Sequence, residues 1–275
     1  MKIRQLAINS VSTRHHDLQN ILAAYEAAGF VNVEFTLKHI YDYLDAGHTL
    51  PDVAALLQRH QLSCIGGFEA AAVCFSQGVE RTQNHARILA NCQLVGDLGG
   101  SVLVLGTDGP GAATVVADPI EVIAATFGEL GERVQSTGVK LCLEFNWSPV
   151  VKSVRTAVDV ARRSGSNNVG VLFDPAHYHC TPSKLEMLTA ESVPHIAHVH
   201  VDDMADKPGE LSNCNADRAL PGEGCLDLRQ IFGRLEQFGY EGYFSIEMFD
   251  EQLWAMPADQ AAARMYASLL PLCDR

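Results

Sequence analysis

No apolar run in this chain approaches the roughly 20 residues that span a bilayer, so no membrane-crossing helix is expected. The opening stretch, MKIRQLAINSVSTRHHD, has no uninterrupted apolar segment and no small-residue cleavage site, and does not read as a secretory signal. Cysteines occur at 64, 74, 92, 142, 180, 214, 225 and 273, but never as C-x-x-C. Several lie inside apolar strand-like runs, which suits reduced core thiols in a cytoplasmic protein. Positive charge is scarce: 20 Lys and Arg stand against 33 Asp and Glu, a net charge of −13. That field repels polyanions and no Lys/Arg run interrupts it, so nucleic acid is a poor partner. Phosphorylated sugars are disfavoured for the same reason, unless one local arginine overrides the field. Also missing are a G-x-G-x-x-G after the first strand-like run, any Pro/Ser-rich linker and any low-complexity tract.

What remains is one pattern, repeated. Short β-branched runs occur at 3–10, 31–37, 62–68, 101–106, 139–145, 169–174, 195–201 and 243–248, each followed by a helical segment. The helical segments are 17–29, 49–60, 79–99, 119–138, 153–165, a short 183–190, 226–239 and 257–270. Gly29 stops the first, while Thr49 as N-cap and Pro51 in the first turn start the second. Strict alternation of strand and helix implies a parallel sheet. Eight such units across 1–275, with nothing to mark a boundary, imply one domain, a closed (β/α)₈ TIM barrel with outer helices.

A barrel strand turns one parity to the helices and the other to the interior. Leu141, Leu143 and Phe145 are the outward set of the fifth strand, which leaves Cys142 and Glu144 inward. By the same alternation Leu172 and Asp174, His198 and His200, and Ser245 and Glu247 face inward on the next three strands. Four consecutive strands therefore bring Glu144, Asp174, His200 and Glu247 to the C-terminal mouth, where active sites of this fold sit. Three carboxylates facing one another repel strongly unless a cation or shared protons relieve them. With one imidazole added, the set is expected to hold a single divalent metal: Mn²⁺, Mg²⁺ or Co²⁺, and less typically Zn²⁺.

Neighbouring residues extend the expectation. His177, three after Asp174 in DPAH, is placed on a loop above the metal, and His198 one layer below His200, as a partner to a ligand or as a plain core histidine. Asp202 and Asp203 read as solvated loop acids. The connection 203–224 is long enough for a lid and carries Arg218, a possible clamp on substrate oxygens. Trp147 and Trp254, just past the fifth and eighth strands, are candidate apolar walls for a sugar-like ring.

These residues also carry a resemblance. LEFNW, VGVLFDPAHYH, HVHVDD with a downstream DRALPGEG and LDL, and FSIEMF are similar to segments of the xylose-isomerase-like barrel superfamily of sugar isomerases and epimerases, nearest its 2-keto-myo-inositol isomerase branch. The resemblance implies that Glu144 and Glu247 double as an acid/base pair across a metal-stabilised cis-enediolate, while His177 and Arg218 touch substrate. It implies a small keto-polyol or sugar as substrate, an inosose as the best single choice, and allows a homo-oligomer. Asp206 stands where the ketohexose 3-epimerase branch has an arginine, and Ala219 where endonuclease IV has a further histidine. A lyase like the 3-dehydroshikimate dehydratases uses a similar metal set and stays open. A non-catalytic sugar-binding barrel is the weakest reading, because both glutamates are present.

Overall fold

The computed structural model describes residues 1–112 and 114–274. Among them, eight parallel strands close into a barrel, each beside the next in chain order and the last beside the first. The strands are β1 (Leu6–Asn9), β2 (Asn32–Thr36), β3 (Ser63–Phe68), β4 (Val102–Leu105), β5 (Lys140–Glu144), β6 (Val169–Phe173), β7 (Ile196–Val201) and β10 (Phe244–Ile246). Two short strands, β8 (Asp203–Met204) and β9 (Arg218–Ala219), form a separate antiparallel pair after β7. The fold is a TIM barrel, as the alternation implies. No helix among the described residues is long and apolar enough to cross a membrane.

The two parities separate as the pattern requires. Phe35, Phe145, Phe173 and Phe244 are fully buried between strands and helices, each worth about 1.5–3 kcal/mol of burial. Val102, Val104, Cys142 and Leu172 fill the barrel interior, with Phe68, Trp147 and Ala197 against them. Around the strands lie α1 (Leu18–Ala28), α2 (Leu37–Asp45), α3 (Leu50–Arg59), α4 (Val79–Asp97), α5 (Pro119–Val134), α6 (Val154–Arg163), α7 (Pro175–His179), α8 (Leu228–Gln237), α9 (Glu251–Ala255) and α10 (Ala258–Leu269). Gly29 caps α1 at φ 103°, a left-handed conformation that costs a glycine little. Thr49 N–H and Oγ both donate to Asp52 at the start of α3.

Besides the short α7, α9 and the β8–β9 pair, two elements depart from expectation. Residues 183–190 do not form a helix: a 3-10 turn over Leu185–Met187 stands there instead. Ser192 Oγ accepts from Thr189 N and donates to Met187 O, closing a turn that takes the backbone groups a helix would use. The second departure is α2, an unexpected helix directly after β2. Leu37 and Ile40 form its buried face, and Lys38 pairs with Asp42 one turn on.

Candidate metal centre at the barrel mouth

Glu144 ends β5, Asp174 and Glu247 each follow the last residue of their strand, and His200 sits near the end of β7. All four are buried, and each offers one ligand atom within 4.8 Å of the others. His200 Nδ1 lies 3.2 Å from Glu247 Oε2 and 3.4 Å from Asp174 Oδ2. Burial opposes charge on this imidazole, but Glu247 and Glu34 outweigh it and raise its pKa well above the ordinary value. Asp174 also caps α7, its Oδ1 accepting from His177 N at 2.9 Å. Proline at the first helical position makes the DPAH run a helix start. His177 is thus on the first turn of a helix rather than a loop, and its Nε2 lies 2.9 Å from Glu144 Oε1.

Arg218 is neither a surface residue nor a free clamp. Its side chain is fully buried, with Nη2 at 3.0 Å from Asp174 Oδ2 and Nη1 at 3.0 Å from Glu247 Oε2. Nη1 also donates to Glu247 O and lies 2.6 Å from Asp202 Oδ2. Burial works against its charge, yet Asp174, Asp202 and Glu247 more than compensate and raise its pKa. Asp202 is wholly buried as well, and neither of its oxygens receives a well-aligned hydrogen bond despite that ion contact. Burial pushes its carboxyl pKa well up, against the pull of Arg218.

Asp203, expected in solvent, is 1% exposed. Its Oδ1 accepts from Met204 N and Leu226 N, and its Oδ2 from Gly222 N and Gly224 N, at 2.8–3.2 Å. A Cβ on Gly224 would overlap Asp203 Oδ1 and Met204 O, so only glycine fits this close approach. The 203–224 connection is therefore bound to the barrel as a cap that holds Arg218 over the carboxylates. The sequence does not announce this, because each partner of Asp203 beyond Met204 comes from at least 19 residues downstream.

Two site residues were missed by reading parity only on the last four strands. Glu34 on β2 is fully buried, 3.0 Å from His198 Nε2 and 3.2 Å from His200 Nε2. Burial disfavours its charge, but His198 and His200 override that and hold its pKa well below the carboxylate range. His198 therefore reaches His200 through Glu34, a relay beneath the quartet. Asn9 on β1 donates from Nδ2 to Glu247 Oε1 at 3.0 Å. The alternations LAIN and NVEFT already turn both residues inward.

Above the quartet opens a cavity of about 330 Å³, walled by Phe68, Trp147 and Phe249 and reached by His177 and Arg218. Gly106 makes room for the Trp147 ring, since a Cβ there would collide with the indole. Trp254 does not line this cavity. Asp250 caps α9 and the indole turns toward the 3-10 turn that follows β1, where Nε1 donates to Val11 O at 2.8 Å; Phe249 takes the wall instead.

The donor set fits a divalent cation. Glu144, Asp174 and Glu247 meet in one buried cluster with His200, and the only permanent positive charge against them, among the described residues, is Arg218. A dication bound by the quartet would relieve the excess that one guanidinium leaves.

Barrel, mouth and ligand-like quartet together define a class. A model of the xylose isomerase-like TIM barrel family matches residues 22–269, and the chain belongs to that family. It is an enzyme of this superfamily. It is 26% identical over 267 residues to an inosose isomerase of Bacillus velezensis, spanning 93% of this chain and 92% of that one. An inosose dehydratase of Yersinia enterocolitica is 26% identical over 158 residues, 52% of this chain and 53% of that one. A crystal structure of the IolI protein with a bound zinc atom superposes with a TM-score of 0.84 at 24% identity, covering 98% and 97% of the two chains.

Proposed function

We propose that the chain is a divalent-metal-dependent isomerase or epimerase of a keto-polyol, with an inosose as the preferred substrate. The observation that carries the reading is the convergence of Glu144, Asp174, His200 and Glu247 within 4.8 Å of one another, with Glu144, His200 and Glu247 lining the cavity. Its similarity to an inosose isomerase over nearly the whole chain supports the substrate class. These four side chains would hold the metal; three carboxylates and one imidazole suit Mn²⁺, Mg²⁺ or Co²⁺, and admit Zn²⁺. Bound there, a divalent ion supplies Lewis acidity that draws electron density from a substrate carbonyl and its neighbouring hydroxyl oxygen.

The protein's own groups do the proton transfer. Glu144 and Glu247 reach the cavity from strands on either side of β6 and β7, so a ring bound between them presents a C–H to one carboxylate. That carboxylate takes the proton α to the ketone. Return to the neighbouring carbon moves the ketone, and return to the opposite face of the same carbon inverts the centre. Trp147, Phe68 and Phe249 exclude water from the reacting face. Incubation of the metal-loaded protein with inososes in D₂O should place deuterium α to the ketone; no incorporation with any inosose or ketose would sink the reading.

A dehydratase is the second reading, favoured by His177 beside Glu144, which places an acid where a leaving hydroxyl could be protonated. It is also favoured by the similarity to an inosose dehydratase. It predicts a conjugated enone absorbance that isomerisation does not produce. Under either reading Glu34→Gln should weaken metal binding by about 10–100-fold, because Glu34 orients the His200 ring. Titration against a chelating indicator measures this directly.

A further inference from the structure

A second cavity, of about 660 Å³, opens at the same face of the barrel between the connections that follow β1 and β2. It shares Phe68 and Phe249 with the cavity over the quartet, and holds twice its volume. A six-carbon ring is accounted for by the smaller space, which leaves the larger one without a role.

Most of the charged and titratable groups around this chamber are already occupied. Lys38 Nζ is 2.7 Å from Asp42, and Asp17 is occupied as N-cap of α1, accepting from Asn20 N. His39 is buried, with its pKa lowered to about 4 by desolvation, and adds no charge at neutral pH. His16 is tied to Met256 O at 2.9 Å. Arg14 is left over. Its guanidinium carbon lies over the Trp254 ring, 4.6 Å from the centroid, and among the described residues it forms no ion pair. Trp254 is itself locked by its bond to Val11 O, with His15 tilted against it at 5.6 Å. An exposed guanidinium over a fixed indole, with no ion-pair partner among the described residues, keeps N–H donors available to an oxyanion.

We propose that this chamber is a subsite for an oxyanion on the substrate, a carboxylate or a phosphate attached to the keto-polyol, with Arg14 on Trp254 as its receptor. This inference rests on the proposed keto-polyol chemistry and extends its substrate class. It also gives the one local arginine that offsets an otherwise repelling −13 field.

The test uses three ketoses of one skeleton: fructose, fructuronate and fructose 6-phosphate, each assayed for deuterium incorporation by the metal-loaded wild type, Arg14→Ala and Arg14→Lys. The wild type should favour at least one anion over fructose in kcat/KM, mainly through KM. Arg14→Ala should lower that anion-to-neutral ratio by about tenfold or more. Arg14→Lys should restore the ratio for phosphate better than for carboxylate, because lysine keeps the charge but not the paired donors. The relative standing of fructuronate and fructose 6-phosphate separates the two anions. Equal handling of neutral and anionic ketoses, or a fall in Arg14→Ala that is the same for all three, overturns the subsite. If no ketose exchanges, calorimetric binding of the same three compounds decides the matter. Anion-selective binding that Arg14→Ala removes keeps the subsite while the isomerase reading fails, and unselective or absent binding overturns the subsite.

Discussion

Glu144→Gln is expected to slow α-proton exchange by roughly 10³-fold, the span a well-placed general base contributes. The substitution is close to isosteric, and the environment tolerates it. Among the described residues, the only hydrogen-bonding side chain against the Glu144 carboxylate is His177, whose Nε2 can still meet an amide oxygen. Folding should therefore survive, and the near-ultraviolet spectrum and thermal midpoint should stay close to wild type. Metal content falls as well, because one of four donors loses its charge, so exchange is measured at saturating metal. Exchange within tenfold of wild type under those conditions would remove Glu144 from the proton transfer. Glu247→Gln is a less clean probe. Its two oxygens accept from Asn9 and Arg218, and an amide must turn its NH₂ toward one of those donors. That variant should lose stability along with activity, and the contrast between the two glutamines separates catalytic from structural loss.

The quartet was legible because the barrel interior enforces it. On β5, β6, β7 and the strand β10, an outward apolar parity leaves few inward positions, so a charged residue among them stands out. Glu34 and Asn9 obey the same rule on β2 and β1, and the sequence carried them equally well. What lay beyond it was anything set by a fold-back. Asp202 and Asp203 follow β7 directly and look like rim acids, since nothing local buries them. They are buried because the chain returns 16 residues after Asp202 with Arg218, and up to 23 after Asp203 with the amide of Leu226. Trp254 failed for a related reason: its distance from the strand end was clear, but its direction depends on how Asp250 caps a five-residue helix. Helix α2 went unseen because the β2 run and its helix share Leu37, so one hydrophobic stretch hides the change of period.

Asp203→Ala is the substitution expected to cost most in stability, about 3 kcal/mol or more. It leaves four backbone N–H groups, those of Met204, Gly222, Gly224 and Leu226, without the carboxylate they share. For a chain of this size that corresponds to a thermal midpoint lower by about 5 °C or more. The loss should be local before it is global. The β8–β9 pairing sets Met204 opposite Arg218, so releasing Asp203 frees the strand that carries the guanidinium. Arg218 then withdraws from Asp174 and Glu247, and their repulsion rises. Hydrogen exchange should show amides 218–226 losing protection while β5 and β6 keep theirs. Activity should fall with the cap, and added metal should recover part of the midpoint, because a cation can take over the charge Arg218 neutralised. Unchanged protection over 218–226 in this variant would mean that the cap is held by other contacts, and that Asp203 does not place Arg218.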